Sequence, residues 1–471
     1  MKKPFFILLF LFPVVANAQE PWNKSSQLDN LWHDVGKNFF TVGNASPISL
    51  AICPSNGEPY IAYSGSSPTY KATVMKFDGS NWVYVGNANF SPGSADFISL
   101  AFSPSGQPYV AFSGEDSLTS QVSVMKFDGT NWVYEGLADF SAGYVDYPSL
   151  AFSPSDHQPY VAFVDYKNSG KVTVMKFNSN NWENVGNAGF SSSESYYTSL
   201  AFNPSDSLPY VAFSASLDPI NPDSVPKAMV MKFDGTNWAY IGKAGFSAGW
   251  ANFVSLAFSY SGQVYVAYSD WFEADVVGTV MKFDGTNWVI VGNKNFSNGN
   301  ANFESLACSP SGEPFVAYYD GDNEGRASVK RFNGTNWVYV GIPGFSLDVA
   351  FFTSLAFSPS GQPYVGSADS ANSWKATVMK FDSAYIGINE LKESMISLYP
   401  NPAKDKCQVS IPKSHIKNIE IYNLTGEKVY GAEFPRGTED VVELNLDFPA
   451  GVYFVRVTNE RTVEVGKIIK K

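Results

Sequence analysis

Short hydrophobic and polar runs alternate along most of the chain, and the same order of runs returns about every fifty residues. The tripeptide Ser-Leu-Ala begins at Ser49, Ser99, Ser149, Ser199, Ser255, Ser305 and Ser354. An Asn-Trp pair follows in each interval, with its tryptophan at Trp82, Trp132, Trp182, Trp238, Trp288 and Trp337. Self-similarity at a fixed period indicates a repeat architecture.

Each repeat contains four runs that are typical of β-strands, as residues 99–136 illustrate. Residues 99–103 are an apolar run between two serines, residues 108–113 are rich in aromatic and β-branched residues, and residues 121–127 alternate with a period of two. The turn Asp-Gly-Thr-Asn then leads into residues 132–136. Helix signals are absent, and four short strands per repeat of this length predict a β-propeller, in which each blade is one twisted sheet.

The two ends of the repeat array complement each other. Trp32 lies eighteen residues before Leu50, as Trp82 lies before Leu100, so the segment 27–36 corresponds to an outer strand alone. The last repeat, residues 354–381, has three strand-like runs and no tryptophan in the fourth. We expect the N-terminal strand to complete the last sheet and remove both free edges. The predicted fold is therefore all-β: a seven-bladed β-propeller closed by the N-terminal strand, followed by a small Ig-like β-sandwich.

The first residues are typical of an export signal. Two lysines precede an apolar run at residues 5–15, and Ala-Asn-Ala follows at residues 16–18. This pattern predicts cleavage between Ala18 and Gln19. We expect a signal peptide at 1–18, the propeller at 19–385, a linker at 386–395 and a second module at 396–471. Since no other apolar run is longer, no transmembrane segment is predicted.

Composition excludes several classes of function. The formal net charge of −12 disfavours nucleic acid as a partner. Three histidines leave little for a His-based triad, and two arginines in the repeats (Arg326 and Arg331) are too few for a sialidase-type cluster. The three cysteines lie singly in different segments, and we expect Cys53 and Cys308 to be free, packed thiols. No cofactor is predicted apart from the calcium considered below.

The element Phe-Asp-Gly-Thr-Asn-Trp resembles the kelch repeat, which places an aromatic residue and a downstream tryptophan in adjacent outer strands. The chain departs from that pattern because no Gly-Gly follows the second strand and because the gap from Phe to Trp is one residue short. This resemblance implies a propeller and is not used to predict a function.

The C-terminal residues resemble a known export module. They contain Leu-Tyr-Pro-Asn-Pro with Pro400, Asn401 and Pro402, then Ile-Tyr-Asn-Leu-Thr-Gly ending at Gly426, then Pro-Ala-Gly-Val-Tyr with Gly451 and Tyr453, and a basic end from Lys467. This combination is similar to the type A sorting domain of the type IX secretion system. The resemblance implies export through the periplasm, partnership with the outer-membrane translocon and a sorting peptidase, and a secreted or cell-surface location. An ordinary Ig-like adhesion module is the alternative.

The loops of the repeats divide into a monotonous face and a variable face. The loops from first to second strand and from third to fourth strand repeat nearly unchanged, whereas the loops on the opposite face vary. Functional residues concentrate in variable loops on a rigid scaffold. We therefore predict a ligand site on the variable face, built on aromatic side chains that break the repeat pattern: Tyr144, Trp250, Trp271 and Trp374.

These features favour an exported propeller that binds a glycan or a protein. The alternative is a secreted polysaccharide hydrolase or lyase, because several acids fall on or near the variable face and could supply a carboxylate pair at the channel mouth: Asp96, Asp146, Asp270, Glu273, Asp275, Glu304 and Asp320. A purely structural surface role is also open. Asp320, Asp322 and Glu324 alternate as calcium ligands do, but they lack the full loop pattern, and a solvated turn is the favoured interpretation.

Overall fold

A computed structural model describes residues 31–66, 69–114, 120–218, 220–221, 224–272, 275–292, 295–297, 299–382, 396–410, 416–423, 428–434, 441–458 and 463–471. The predicted cleavage site at Ala18 and Gln19, the predicted linker and Gly426 lie outside these residues. The chain divides into two compact units between residues 384 and 385. Within the described ranges, no helix is long and apolar enough to cross a membrane.

The first unit contains seven four-stranded antiparallel sheets among its described residues. Sheet 1 has β2 (Ile48–Ile52), β3 (Pro59–Ser64), β4 (Ala72–Phe77) and β5 (Trp82–Tyr84). Sheet 2 has β6 (Ala95–Phe102), β7 (Pro108–Gly114), β8 (Val122–Phe127) and β9 (Trp132–Tyr134). Sheet 3 has β10 (Val145–Phe152), β11 (Pro159–Asp165), β12 (Lys171–Phe177) and β13 (Trp182–Asn184). Sheet 4 has β14 (Ser195–Phe202), β15 (Pro209–Ala215), β16 (Lys227–Phe233) and β17 (Trp238–Tyr240).

The remaining three sheets follow the same order. Sheet 5 has β18 (Trp250–Phe258), β19 (Val264–Phe272), β20 (Asp275–Phe283) and β21 (Trp288–Ile290). Sheet 6 has β22 (Ala301–Cys308), β23 (Pro314–Asp320), β24 (Arg326–Phe332) and β25 (Trp337–Tyr339). Sheet 7 has β26 (Ala350–Phe357), β27 (Pro363–Asp369), β28 (Lys375–Asp382) and, as its outer strand, β1 (Leu31–Asp34). Single turns of 3₁₀-helix follow the second strand in sheets 3, 6 and 7, at Tyr166–Asn168, Gly321–Asn323 and Ser370–Asn372.

The predicted β-propeller with N-terminal closure is confirmed. Strand β1 pairs antiparallel with β28, and Trp32 lies opposite Phe381. Between neighbouring sheets, the amide of the leucine in each Ser-Leu-Ala donates to the serine Oγ of the preceding sheet at 2.9–3.0 Å. These serines therefore join the innermost strands to one another, which explains why the same residue returns in every repeat.

The repeated tryptophans join the outer strands in the same way. Each indole Nε1 donates to a backbone carbonyl of the preceding sheet at 2.7–2.9 Å, from Trp32 to Val340 and from Trp82 to Val35 for example. Trp82 also stacks on Phe40 with ring centroids 4.2 Å apart. The expected position of this series, in the core between sheets, is correct. Cys53 and Cys308 are free, also as expected, and so is Cys407.

The first strand of sheets 2 to 7 is longer than the sequence indicated. It begins four or five residues before the Ser-Leu-Ala serine, at Ala95 rather than Ser99 in sheet 2. A bulge interrupts the pairing between Asp96 and Ser99, and equivalent bulges occur in the next five sheets. A bulge bends the strand and redirects a side chain. The bulges therefore determine which side chains of the innermost strands lie on the variable face.

The second unit is a pair of small sheets, consistent with the predicted β-sandwich. One sheet has β29 (Ser397–Tyr399), β30 (Lys406–Ser410) and β33 (Val441–Asn445). The other has β31 (Asn418–Tyr422), β32 (Lys428–Glu433), β34 (Gly451–Thr458) and β35 (Val463–Lys470). Ile419, Ile421, Val455 and Val457 from the second sheet bury their side chains with Leu444 of the first.

Candidate functional site

Sheet 5 carries a pair of exposed tryptophans at its variable end. Trp250 opens β18 and lies directly opposite Trp271 of β19. Their ring centroids are 5.8 Å apart at an angle of 56°. Trp250 is 37% exposed, Trp271 is 45% exposed and the adjacent Phe272 is 49% exposed, so all three rings offer a face to solvent. Both predicted tryptophans are thus exposed, and their role in binding a ligand stays a prediction.

The turn that presents Trp250 is held by a buried carboxylate. Asp270 Oδ1 accepts a hydrogen bond from the amide of Gly249 at 2.6 Å. A Cβ atom added at Gly249 would collide with the carbonyl oxygen of Trp271, so only glycine allows this close approach of the two strands. The Trp pair therefore stands on a fixed backbone rather than on a free loop.

Sheet 3 carries a tyrosine pair at its corresponding end. The rings of Tyr144 and Tyr166 lie 4.8 Å apart at 51°, and the two side chains are 40% and 37% exposed. Tyr144 was predicted as a ligand residue, but Tyr166 was missed. The sequence does contain a signal for it, because Tyr166 lies four residues after Ala162 as Trp271 lies four residues after Ala267.

A buried aspartate fixes the orientation of Tyr144. The Tyr144 hydroxyl donates to Asp146 Oδ1 at 2.7 Å, and Asp146 is almost fully buried. Burial, followed by this hydrogen bond, raises the pKa of Tyr144 to about 12, and burial raises the pKa of Tyr166 as well. Both hydroxyls therefore stay protonated at physiological pH and can donate to a ligand or to the aspartate.

A row of six aromatic side chains follows the innermost strands from sheet 2 to sheet 7. Each member lies at the bulge, two residues before the Ser-Leu-Ala serine: Phe97, Tyr147, Tyr197, Phe253, Phe303 and Phe352. Neighbouring rings are 4.4–5.0 Å apart. All six have φ between 47° and 56°, a left-handed conformation that is strained for aromatic residues. We call these six residues the aromatic collar; it could not be recognised without the bulges.

Glu304 follows the collar residue Phe303 and is the only acid at its repeat position. Both of its carboxyl oxygens lie 2.8 Å from Ser269 Oγ of the preceding sheet. Burial raises the pKa of Glu304 to about 8. The carboxyl group is therefore mostly protonated at neutral pH, and it lies between sheets 5 and 6 rather than on the open surface.

Trp374 differs from the other predicted ligand residues. Its ring stacks on Phe351, with centroids 4.8 Å apart and an interplanar angle of 21°, and it is half-buried. Phe351 in turn contacts the collar residues Phe303 and Phe352. The Trp374 ring therefore packs against Phe351 as well as reaching the variable face, whereas both rings of the sheet 5 tryptophan pair are more exposed.

The candidate calcium residues are used by the fold. Asp320 accepts hydrogen bonds from the Asp322 amide at 3.2 Å and from Asn323 Nδ2 at 2.8 Å, and Glu324 pairs with Arg326 at 3.1 Å. Asp165 and Asp369 cap equivalent 3₁₀ turns. Among the described residues, no group of three His, Cys, Asp or Glu side chains is placed to hold a metal ion. The described residues therefore offer no ligand cluster that supports the calcium prediction.

The monotonous face carries a shallow cavity of about 620 Å³ between sheets 2 and 3. Its lining includes Gln107, Lys126, Glu135 and His157. Lys126 forms an ion pair with Glu135, and the lysines at the same position in sheets 1, 3, 4 and 7 also pair with acids. The cavity is thus walled mainly by groups that hold the repeat together, and the variable face remains the better candidate site.

In the second unit, Asn401 ties the loop between Pro400 and Pro402 to the last strand. Its Nδ2 donates to the Lys467 carbonyl at 2.6 Å, and its Oδ1 accepts from the Ile469 amide at 2.9 Å. Tyr453 donates to the Pro449 carbonyl at 2.7 Å, and its ring lies against Gly451. Asn401 and Lys467 therefore contribute directly to how β35 is held, and Gly451 and Tyr453 contribute through the turn before β34.

Comparison with known families identifies this second unit. Residues 397–471 match the family described as secretion system C-terminal sorting domain. The C-terminal unit is a sorting domain. Such a domain indicates export to the cell surface or secretion, as the sequence predicted. The sorting domain covers a minority of the chain, and no curated protein matches the sequence.

Solved structures match the propeller by fold. A polysaccharide lyase described as PL25-Ulvanlyase bound to -[GlcA(1-4)Rha3S]- is similar with a TM-score of 0.51 and 12% identity, over 72% of this chain and 94% of that chain. An α-L-arabinanase from Penicillium chrysogenum matches with a TM-score of 0.43 and 10% identity, over 76% and 98%. The SapL1 lectin in complex with α-methyl fucoside matches with 0.42 and 13%, over 65% and 99%. At these identities the similarity establishes the fold alone.

Proposed function

We propose that the chain is an exported protein whose seven-bladed propeller binds glycan on its variable face, after delivery by the type IX secretion translocon and its sorting peptidase. The observation that carries this proposal is the Trp250–Trp271 pair. Two large rings stand on a backbone fixed by Gly249 and Asp270, yet each leaves more than a third of its surface in water. Contiguous exposed apolar groups of this kind often mark binding sites.

Rigid aromatic rings suit sugars for a physical reason. The C–H faces of a pyranose are apolar while its edges carry hydroxyls, so a ring stacked on an indole loses little hydration and keeps its polar rim. Holding the indoles in place beforehand lowers the entropy that binding must overcome. The proposal also agrees with one neighbour in fold, which is a polysaccharide lyase by its own description.

A glycan array and a cell-surface pull-down test the proposal. We expect the unaltered protein to bind one or more polysaccharides and the Trp250→Ala/Trp271→Ala variant to lose at least about tenfold in affinity, since hot-spot aromatics contribute about 2 kcal/mol or more. Tyr260→Ala is the matched control, because Tyr260 is 86% exposed on the monotonous face of the same sheet. Capture of a protein with no glycan binding would favour the protein-ligand alternative instead.

A polysaccharide-active enzyme is a second candidate, and Glu304 favours it. A carboxyl group with a pKa near 8 is the kind of group that acts as a general acid. However, Glu304 is buried and faces Ser269, so catalysis would require substrate to reach between sheets 5 and 6. Release of reducing ends or unsaturated products from any bound polysaccharide, abolished by Glu304→Gln, would support the enzyme; binding without turnover would contradict it.

A further inference from the structure

The tyrosine pair of sheet 3 and the tryptophan pair of sheet 5 occupy identical repeat positions. Tyr144 and Trp250 each lie five residues before the serine of Ser-Leu-Ala, and Tyr166 and Trp271 each lie four residues after the alanine of the second strand. No other repeat has an aromatic residue at either position. The first position holds Asn44, Ser94, Glu194, Asn300 and Val349, and the second holds Ser66, Glu115, Ser216, Gly321 and Ser370.

The two pairs are also alike in geometry. The ring centroids are 4.8 Å apart in sheet 3 and 5.8 Å apart in sheet 5, at angles of 51° and 56°. A buried aspartate supports each pair, Asp146 through the Tyr144 hydroxyl and Asp270 through the amide before Trp250. The same projection from the same repeat positions means that both pairs stand at the same level of one face.

One sheet separates the two pairs. Sheet 4 carries Glu194 and Ser216 at the corresponding positions, so the aromatic surface is interrupted between them. Since packed sheets lie about 10 Å apart, the pairs are separated by roughly 20 Å. A single sugar can occupy one pair at a time, whereas an extended oligosaccharide can reach both.

We propose that the Tyr144–Tyr166 and Trp250–Trp271 pairs are two subsites for one polysaccharide chain, which crosses sheet 4 between them. This inference rests on the proposed glycan-binding function and adds the class of ligand: an extended polymer rather than a terminal sugar. Once one subsite is occupied, the second binds within the same complex, so the affinity for a chain exceeds that for a short fragment without any new contact.

The test uses the full chain with ulvan and laminarin as probes, each intact and as its disaccharide. Each pair is replaced by residues that other repeats already carry there, giving Tyr144→Asn/Tyr166→Ser and Trp250→Asn/Trp271→Ser, because these substitutions suit the same backbone. Melting temperatures confirm folding, and Tyr260→Ala is the control on the opposite face. Isothermal calorimetry gives affinity and stoichiometry.

We expect at least one of the two polymers to bind more tightly than its own disaccharide, by about tenfold or more. Either double variant should bind polymer and disaccharide with similar affinity. Each variant should still bind disaccharide at the remaining pair. Disaccharide stoichiometry should fall from two per protein to one. If the tyrosine variant binds polymer as the unaltered protein does while the tryptophan variant does not, the second subsite is wrong and the proposed function stands. If the unaltered protein binds neither these polymers and fragments nor any polysaccharide on the glycan array, the proposed function itself is wrong.

Discussion

The amide of Leu50 donates to the Oγ of Ser354 at 3.0 Å, although 304 residues separate them along the chain. The same bond joins every other pair of neighbouring sheets, from Leu100 with Ser49 to Leu355 with Ser305. The first and last repeats thus meet through the contact that joins any two repeats. The ring of innermost strands is therefore continuous, and it supports the variable face as a rigid platform.

Loss of the Ser354–Leu50 hydrogen bond should lower the free energy of unfolding as much as loss of the equivalent bond between any other two sheets. Ser354→Ala leaves the Leu50 amide without its partner, which costs about 1–3 kcal/mol. Ser149→Ala removes the equivalent bond to Leu200 inside the array and serves as the matched control. Urea unfolding should give similar losses for both variants; a loss with Ser149→Ala alone would show that the ring is open between sheets 7 and 1.

The N-terminal strand should be needed for stability because of Trp32. This indole is buried, stacks on Phe345 with centroids 4.3 Å apart and donates to the Val340 carbonyl at 2.8 Å. Trp32→Ala should cost about 3–5 kcal/mol in unfolding free energy, as core aromatic truncations do. Trp250→Ala, at an exposed site, should change it little. Deletion of residues 27–36 with no change in melting temperature would contradict the closure.

Glu304 should make stability depend on pH. Its pKa is about 8 in the folded protein against 4.5 for the free side chain, so folding favours the protonated form. The contribution is fully present below about pH 4.5 and is lost as pH rises through about 8, by up to about 1.4 kcal/mol per pH unit. Denaturant unfolding at several pH values tests this: Glu304→Gln should flatten the profile over that range. A variant with the same slope as the unaltered protein would assign the dependence to other groups.

Removal of residues 396–471 should separate folding from export. The sheets of the first unit close on themselves without these residues, so the truncated protein should fold but remain in the periplasm. A milder variant, Asn401→Ala, removes both hydrogen bonds to β35 and should lower the exported fraction. Cell fractionation measures both, with Val441→Ala as an exposed control outside the quoted motifs. Truncated protein found outside the cell would contradict the sorting role.

The sequence predicted the repeated strands and their interior tryptophans but missed the bulges, although these also recur in six sheets. The strands, the interior tryptophans and the N-terminal closure followed from the period, because a buried position must be filled the same way in each copy. The bulges could not be predicted in this way, because the collar positions hold aromatic residues and not glycine, the residue that usually indicates a left-handed backbone. Without the bulges, Phe97 and Tyr147 were ordinary residues before a strand.

Side-chain partners explain the other differences. The stacking of Trp374 on Phe351 and the hydrogen bonds of Asp320 with Asn323 depend on how two loops fold back on each other. A short pattern such as alternating acids indicates residue types that could bind calcium, but it does not predict the hydrogen bonds and ion pairs that those residues form within the fold. Tyr166 was missed for a simpler reason: its meaning appears only when the second strands of two repeats are compared position by position.

A crystal structure of the propeller with a bound oligosaccharide, from whichever polysaccharide binds most tightly, tests the central claim most directly. The account predicts sugar rings stacked on Trp271 or Trp250 and, for a longer chain, on Tyr166 or Tyr144, with the chain passing over sheet 4. Sugar bound at the Asp-Gly-Thr-Asn turns, or density on the variable face that touches none of these four rings, would contradict it.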